Sequence, residues 1–386
     1  MFSRNRLVCT DWYETEDYIW MCLSDQNAIC KVNKATGEVK KLGYYPNHGA
    51  SQYLLASSVV FCNGKIVFVP CLADSVAVVD METDMVTFIP LPKQNYPLYD
   101  IIAKFVYGFA EDGYIYMQGF AYPAILRLAV DSGELAYFAQ YSKRNRNKYS
   151  CLGMASEGKR WFFPMVEKGE IMRFFPESQK IEYQCMDGEN GGFFGLAQEG
   201  ERIWLTCLDS DKDYIVSWDM EKNKVEKVLL PARGRYHAPL FYQGVAYLFP
   251  HEGKAVVMID LNDGFKASIC REISDKLCFG DWAAVMAVKQ IGTTIKFVTG
   301  GTRCWYEYDL ENHTLSETYY ELKDDAFLQD WMKDAFLAMT NRQENATVEN
   351  ELLLSEFMQI IGENSAEEVD AGENYGKKIY DFLKEM

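Results

Sequence analysis

Histidine, paired cysteines and long apolar runs are all scarce in this sequence of 386 residues. It contains four His and eleven Cys, and no two cysteines form a CxxC pair. A zinc site built from such ligands is therefore not expected, and we predict neither a metal nor another cofactor. No stretch approaches the about 18 uninterrupted apolar residues that a membrane-spanning helix needs, so a membrane span is excluded.

An export signal is also missing from the sequence. The first residues, MFSRNRLVCTDWYETEDYIW, contain acidic side chains and no apolar stretch long enough for a signal peptide. Cysteines in a chain without such a signal are typical of reduced, mostly buried thiols. We therefore expect a cytoplasmic protein without a disulfide framework.

Positive charge is in deficit. Lys and Arg number 39 against 56 Asp and Glu, which gives a formal net charge of −17. A surface this acidic repels phosphate backbones, so nucleic acid is excluded as a partner.

The usual catalytic signatures are absent as well: there is no GxSxG, HExxH or Walker loop, and no GxGxxG that leads into a helix.

One pattern is present in seven copies. An alternating strand, a turn and a second strand recur, as in AICKVNKATGEVKKL from Ala28 and VAVVDMETDMVTFI from Val76. The equivalent turn positions are Asn33, Asp80, Ala129, Phe175, Asp219, Asp260 and Asp309. They are spaced by 41 to 49 residues, and aromatic residues, which favour strands, make up 15% of the chain.

A second pattern precedes each of the last six copies. A short apolar strand reaches a glycine turn and a new strand begins. The turn glycines are Gly64, Gly113, Gly158, Gly200, Gly244 and Gly292. Asn-Gly and Asp-Gly suit two-residue hairpins, because both turn positions need a positive φ. Four short strands in a period of about 46 residues are typical of a β-propeller blade.

The copies resemble the blades of seven-bladed propellers of the WD-repeat, kelch and streptogramin-lyase-like groups. The segment GKRWFFPMVEKGEIMRFFPESQKIEY is similar to streptogramin-lyase-like and sensor-kinase blades, whereas the GH…WD and double-glycine signatures are absent. The resemblance covers residues 5–320 and implies an all-β, seven-bladed propeller over residues 1–320, with no single function. Either the segment near Leu7 forms the inner strand of the first blade, or the N-terminus adds an outer strand to the last blade.

The pattern changes from strand to helical periodicity after Tyr320. Apolar residues recur at helical spacing, which predicts an α-helical extension over residues 321–386. This segment carries 6 basic and 16 acidic residues. Its helices either pack on the propeller or, for residues 375–386, form a docking element for a partner.

Propeller geometry determines which loops cluster. The connections between blades share one face with the loops between the second and third strands, and function usually gathers there. These connections are rich in Tyr, Arg and His, which suits recognition. The predicted ligand-binding residues are His48, Tyr53, Lys143, Arg144, Arg146, Lys148, Arg233, Arg235, Tyr236, His237 and Trp282. For each of them, a purely structural role is the alternative.

Two hypotheses about function follow. The first is a non-catalytic binding propeller of a bacterial cytosol that recognises a peptide, protein, anionic or glycan-related partner. The second is an enzyme of the lyase, hydrolase or cyclase kind with its active site at the mouth of the central channel. In that case the candidate catalytic residues are His237 and Asp281.

Overall fold

The computed structural model describes residues 6–49, 52–93, 103–140, 153–157, 160–166, 169–186, 189, 191–277 and 284–322. Seven antiparallel four-stranded sheets follow one another along the chain, and one two-stranded ribbon is added to them. The protein is an all-β, seven-bladed β-propeller, as the repeats predict. The helical extension predicted for residues 321–386 lies outside the described residues, except for Glu321 and Leu322.

Each blade is a meander that runs from the inner to the outer strand. Blades 1 to 3 consist of β1 (Cys9–Glu14), β2 (Tyr18–Leu23), β3 (Ile29–Asn33), β4 (Val39–Gly43); β5 (Ala56–Cys62), β6 (Lys65–Pro70), β7 (Ser75–Asp80), β8 (Val86–Pro90); and β9 (Phe105–Glu111), β10 (Tyr114–Gly119), β11 (Ala124–Ala129), β12 (Glu134–Gln140). Blades 4 and 5 consist of β13 (Ala155–Glu157), β14 (Arg160–Pro164), β15 (Glu170–Phe175), β16 (Lys180–Cys185); and β17 (Phe193–Glu199), β18 (Arg202–Cys207), β19 (Tyr214–Asp219), β20 (Lys224–Leu229).

The last two blades differ from the others by the ribbon and a short helix. Blade 6 contains β22 (Leu240–Tyr242), β23 (Val245–Leu248), β25 (Val257–Asp260) and β26 (Lys266–Ile269), and the ribbon pairs β21 (Gly234–Tyr236) with β24 (Pro250–Gly253). The helix α1 (Arg271–Ser274) precedes blade 7, which consists of β27 (Ala287–Ile291), β28 (Thr294–Val298), β29 (Trp305–Asp309) and β30 (Thr314–Thr318). In the described part of the chain, no helix is both long and apolar enough to span a membrane.

The turns between third and fourth strands explain the sequence repeat. Four residues after each repeated turn position, the backbone has a positive φ. These residues are Gly37, Asp84, Gly133, Gln179, Asn223, Gly264 and His313. At Asp80 the carboxylate also accepts hydrogen bonds from the backbone N–H groups of Glu82 and Thr83, at 3.1 and 3.0 Å. Such an Asx turn explains why Asn or Asp occupies the position in five of the seven copies.

Alternation along the strands produces a ring-shaped core. Seven clusters of buried side chains lie one between each pair of neighbouring blades. Between blades 3 and 4 the cluster is largely aromatic, and Trp161 lies 4.9 Å from Phe109 and 4.8 Å from Tyr116, measured between ring centroids. Because each blade packs with one face on its predecessor and the other on its successor, no blade has an independent core.

Among the described residues, blades 7 and 1 each take their four strands from one continuous segment, and no strand is exchanged between them. Blade 1 has its own inner strand from Cys9, so the first of the two predicted closures is the one observed. Of the described residues before it, Arg6 forms a β-bridge with Glu321, and the backbone N–H of Leu7 donates to the Tyr320 carbonyl at 2.8 Å. The Leu7 carbonyl accepts a hydrogen bond from the indole N–H of Trp305 at 3.1 Å. Closure therefore depends on side-chain packing and on bonds to the main chain.

Candidate recognition site on the blade-junction face

The connections between blades lie beside the loops between second and third strands, as propeller geometry requires. We call this side of the ring the junction face. The ribbon joins the two kinds of loop, because β21 precedes blade 6 and β24 lies between its second and third strands. The backbone N–H groups of Ala284 and Val285 then donate to the carbonyls of His251 and Pro250, at 2.9 and 3.0 Å. Three connections are thus joined by main-chain bonds.

Two histidines meet on this framework. The rings of His237 and His251 lie 5.4 Å apart between centroids, at an angle of 82°. His237 is 8% exposed, and its Nε2 lies 2.8 Å from the carbonyl oxygen of Val285. Because a carbonyl can only accept, Nε2 carries the proton and Nδ1 carries the lone pair.

Both histidines are neutral at physiological pH. Burial and, to a smaller extent, the neighbouring His251 lower the pKa of His237 to about 4, against an opposing hydrogen bond to Val285. Burial also lowers the pKa of His251 to about 4, with the charge of Arg235 acting in the same direction. The pair therefore presents imidazole and not imidazolium.

An aromatic ring and an ion pair border the histidines. Phe194, the second residue of β17, has its ring 5.1 Å from that of His251 and 6.0 Å from that of His237. The guanidinium of Arg235 lies 5.6 Å from the Phe194 ring centroid and donates to Glu252 at 2.9 Å and to the Leu208 carbonyl at 2.6 Å. We call Phe194, Arg235, His237, His251 and Glu252 the histidine-pair site.

His48 lies elsewhere on the junction face, between blades 1 and 2. Its carbonyl accepts a hydrogen bond from the Asn27 amide at 2.9 Å, and its ring meets the edge of Tyr45. The Nε2 atom of His48 is buried and has no hydrogen-bond partner. Burial lowers the pKa of His48. Beside it, Tyr44 and Tyr53 expose 59% and 53% of their surface.

The other predicted residues differ in whether their side chains are exposed, and several lie outside the described part of the chain. Arg233 is exposed, whereas Tyr236 is 1% exposed and its hydroxyl donates to the Ala232 carbonyl at 3.1 Å. Tyr236 therefore supports the ribbon from inside. The remaining predicted residues lie outside the described part of the chain: Lys143, Arg144, Arg146, Lys148, Asp281 and Trp282.

Sequence reasoning did not assign Phe194, His251 or Glu252 to the site. Phe194 belongs to an inner strand of ordinary pattern, and Glu252 belongs to the ribbon, which has no counterpart in the other copies. The segment FPHEGK could have indicated Glu252, because a polar segment between the second and third strands must lie on the junction face. Among the described residues, no group of three or more His, Cys, Asp or Glu side chains is arranged to hold a metal ion.

Comparisons with known proteins show a common fold. No protein-family model and no curated protein sequence matches the chain. The structure is similar to a catalytically inactive histidine-to-alanine variant of virginiamycin B lyase from Staphylococcus aureus with quinupristin. The TM-score is 0.58 and the sequence identity is 13%, over 78% of this chain and 94% of that one. It is also similar to the WD40 repeats of RRP9, at 0.54 and 11% identity over 82% and 95% of the two chains.

A chain of a mitotic checkpoint complex is another similar structure. Its TM-score is 0.53 at 11% identity, over 82% of this chain and 87% of that one. The structural similarity shows that the fold is shared, and at sequence identities this low it shows no specific family.

Proposed function

We propose that the protein is a non-catalytic binding propeller that holds a protein or peptide partner on its junction face. The observation that carries this proposal is the difference between the two faces. On the opposite face, turns such as Asp80–Asp84 are short and closed by their own hydrogen bonds. On the junction face, exposed Tyr44, Tyr53 and Arg233 extend from longer connections.

The chemistry of these side chains suits a polypeptide surface. Tyr and Arg combine a large contact area with directional hydrogen bonds, and they are enriched at binding hot spots. The histidine-pair site adds a side chain that is already fixed, because Arg235 is held by Leu208 and Glu252 before any partner arrives. A fixed anchor loses little conformational entropy on binding.

The structural neighbours support this use of the fold. One of them is a component of the mitotic checkpoint complex, a protein assembly. Arg233, an exposed cation on the same face, would also suit an anionic or glycan-related group on the partner.

The test is capture of partners from an extract of the native cells by the tagged full chain. A junction-face variant combines Tyr44→Ala, Tyr53→Ala and Arg233→Ala. A matched variant of the opposite face combines Glu82→Ala, Met85→Ala and Glu221→Ala. Loss of three contact side chains should reduce recovery of a specific partner about tenfold or more, with an unchanged melting temperature. Equal recovery by both variants would overturn the proposal.

A second candidate function is a propeller enzyme with its site at the channel mouth. The observation that favours it is the fixed tautomer of His237, whose Nδ1 lone pair is available to accept a proton. A similar propeller, virginiamycin B lyase, is catalytically inactive when a histidine is replaced by alanine. Full turnover of an identified substrate by a His237→Ala variant would exclude this function.

A further inference from the structure

The ribbon has few hydrogen bonds of its own. Its strands β21 and β24 contain three and four residues, and two paired strands of this length have little stability alone. The connection before blade 7 adds bonds to it, because the backbone N–H groups of Ala284 and Val285 donate to the carbonyls of His251 and Pro250. The position of the ribbon therefore depends on its contacts with this connection.

One carbonyl group of the connection is hydrogen-bonded to both histidines. The Nε2 atom of His237 lies 2.8 Å from the carbonyl oxygen of Val285, and the same carbonyl is hydrogen-bonded to His251. The Nδ1 atom of His251 is buried and has no hydrogen-bond partner. This arrangement suits neutral rings, which have one N–H group each. A protonated ring has two N–H donors, so protonated His251 would bury one donor without an acceptor.

The groups around the two rings also oppose protonation. β21 contributes Arg235, whose charge acts on His251, and β24 contributes Glu252, which already accepts a hydrogen bond from Arg235 at 2.9 Å. β17 contributes the apolar ring of Phe194, and the connection contributes the Val285 carbonyl. Among the described residues, no carboxylate acts on either ring. Two imidazolium rings would therefore repel each other and Arg235 in a buried site.

We propose that the ribbon is an acid-sensitive latch. Protonation of His237 and His251 releases it from the connection at Val285, and the seven blades stay folded. A partner that contacts Arg233, the residue before β21, would then dissociate in acid. That consequence rests on the proposed function, whereas the release of the ribbon is a property of the free protein and can be tested without a partner.

The size of the effect follows from proton uptake. Burial lowers the pKa of both histidines to about 4 in the closed ribbon, and an imidazole in water has a pKa of about 6.5. The released ribbon binds more protons between these two values, so release becomes more favourable as the pH falls. Between pH 7 and pH 5, each histidine should increase the released fraction about 20-fold.

The first test is hydrogen–deuterium exchange of the unmodified protein, resolved to single amides by NMR. Protection factors, which correct for the intrinsic effect of pH on exchange, are compared at pH 7 and pH 5. The internal control is the amide of Leu261, which donates to the Gly244 carbonyl at 2.8 Å on the opposite face of blade 6. Protection of Ala284 and Val285 should fall about 20-fold or more relative to Leu261. Equal changes at all three amides would overturn the latch.

The second test assigns the release to the histidine pair. His251→Phe places a ring that cannot be protonated in the same space, so the loss of protection at Ala284 between pH 7 and pH 5 should be about 20-fold smaller. The matched control, His313→Asn, changes an exposed histidine with a positive φ on the opposite face, and Asn tolerates that conformation. Its pH dependence should equal that of the unmodified protein. If His251→Phe does not fold, His251→Gln gives the same comparison. Full loss of protection in the His251 variant would overturn the role of the pair.

Discussion

The closure of the ring should depend on a buried ion pair between blades 7 and 1. The ammonium of Lys296, in β28, lies 2.8 Å from Oε1 of Glu14, the last residue of β1, and 2.8 Å from Oε1 of Glu307. The side chains of Lys296 and Glu14 are only 12% and 7% exposed. We predict that Lys296→Met, which keeps most of the apolar stem, destabilises the propeller.

The size of the effect follows from what remains around Glu14. Removal of one partner from a fully buried ion pair costs about 3–5 kcal/mol, and an exposed pair contributes at most about 1 kcal/mol. Glu14 keeps two weaker partners, the ammonium of Lys34 at 3.4 Å and the indole N–H of Trp12 at 3.2 Å. We therefore expect a loss of about 2 kcal/mol in the free energy of unfolding.

Urea unfolding followed by tryptophan fluorescence measures this loss. The matched control is Lys180→Met, because Lys180 pairs with Glu182 at 2.6 Å but the two side chains are 65% and 36% exposed. The control should unfold at the urea concentration of the unmodified protein. If Lys296→Met also unfolds there, the closure does not depend on this ion pair.

Three further predictions concern the core, the junction face and pH. Trp161→Ala should lower the free energy of unfolding by about 4 kcal/mol, because a large buried ring is lost between blades 3 and 4. Urea unfolding measures this loss, and a value below about 1 kcal/mol would contradict the packing. Gly195→Ala should lower the free energy of unfolding by about 1–3 kcal/mol, because a Cβ there would lie 2.6 Å from the backbone nitrogen of Ala238. A variant that unfolds at the same temperature as the unmodified protein would refute that contact. Stability should also fall as pH decreases from about 6.5 towards 4. The folded pKa of His237 and His251 is about 4, so the unfolded chain binds more protons in that range. Urea midpoints at pH 7 and 4.5 measure this fall, and it should be smaller in His251→Phe.

The blades could be predicted from the sequence because their signals are local. Asn33 and Asp80 mark turns whose side chains bond the next backbone N–H groups, and a left-handed residue follows four positions later. Asn63-Gly64 has a positive φ at both positions, as the hairpin rule requires. Such features depend on a few consecutive residues, so one chain is enough to show them.

Ring closure and the histidine-pair site depend on distant contacts. In either of the two possible closures, the alternating residues near Leu7 form a strand of a sheet. The sequence pattern is therefore the same for both closures and cannot distinguish them. Phe194 lies in the inner strand β17, whereas His237 and His251 come from two different connections that the ribbon pairs. Tyr236 is predicted to contact a ligand, but its side chain is 1% exposed and its hydroxyl bonds the Ala232 carbonyl. The next residue, His237, is buried as well, so simple alternation could not have identified which of the two faces a partner.

Hydrogen–deuterium exchange of the protein, alone and with its captured partner, tests the central claim most directly. Binding on the junction face should slow exchange in peptides that contain Tyr44, Tyr53 and Arg233. Peptides that cover the opposite turns at Met85 and Glu221 should exchange as in the free protein. Slower exchange at those opposite turns, with unchanged exchange around Arg233, would contradict the junction face as the recognition surface.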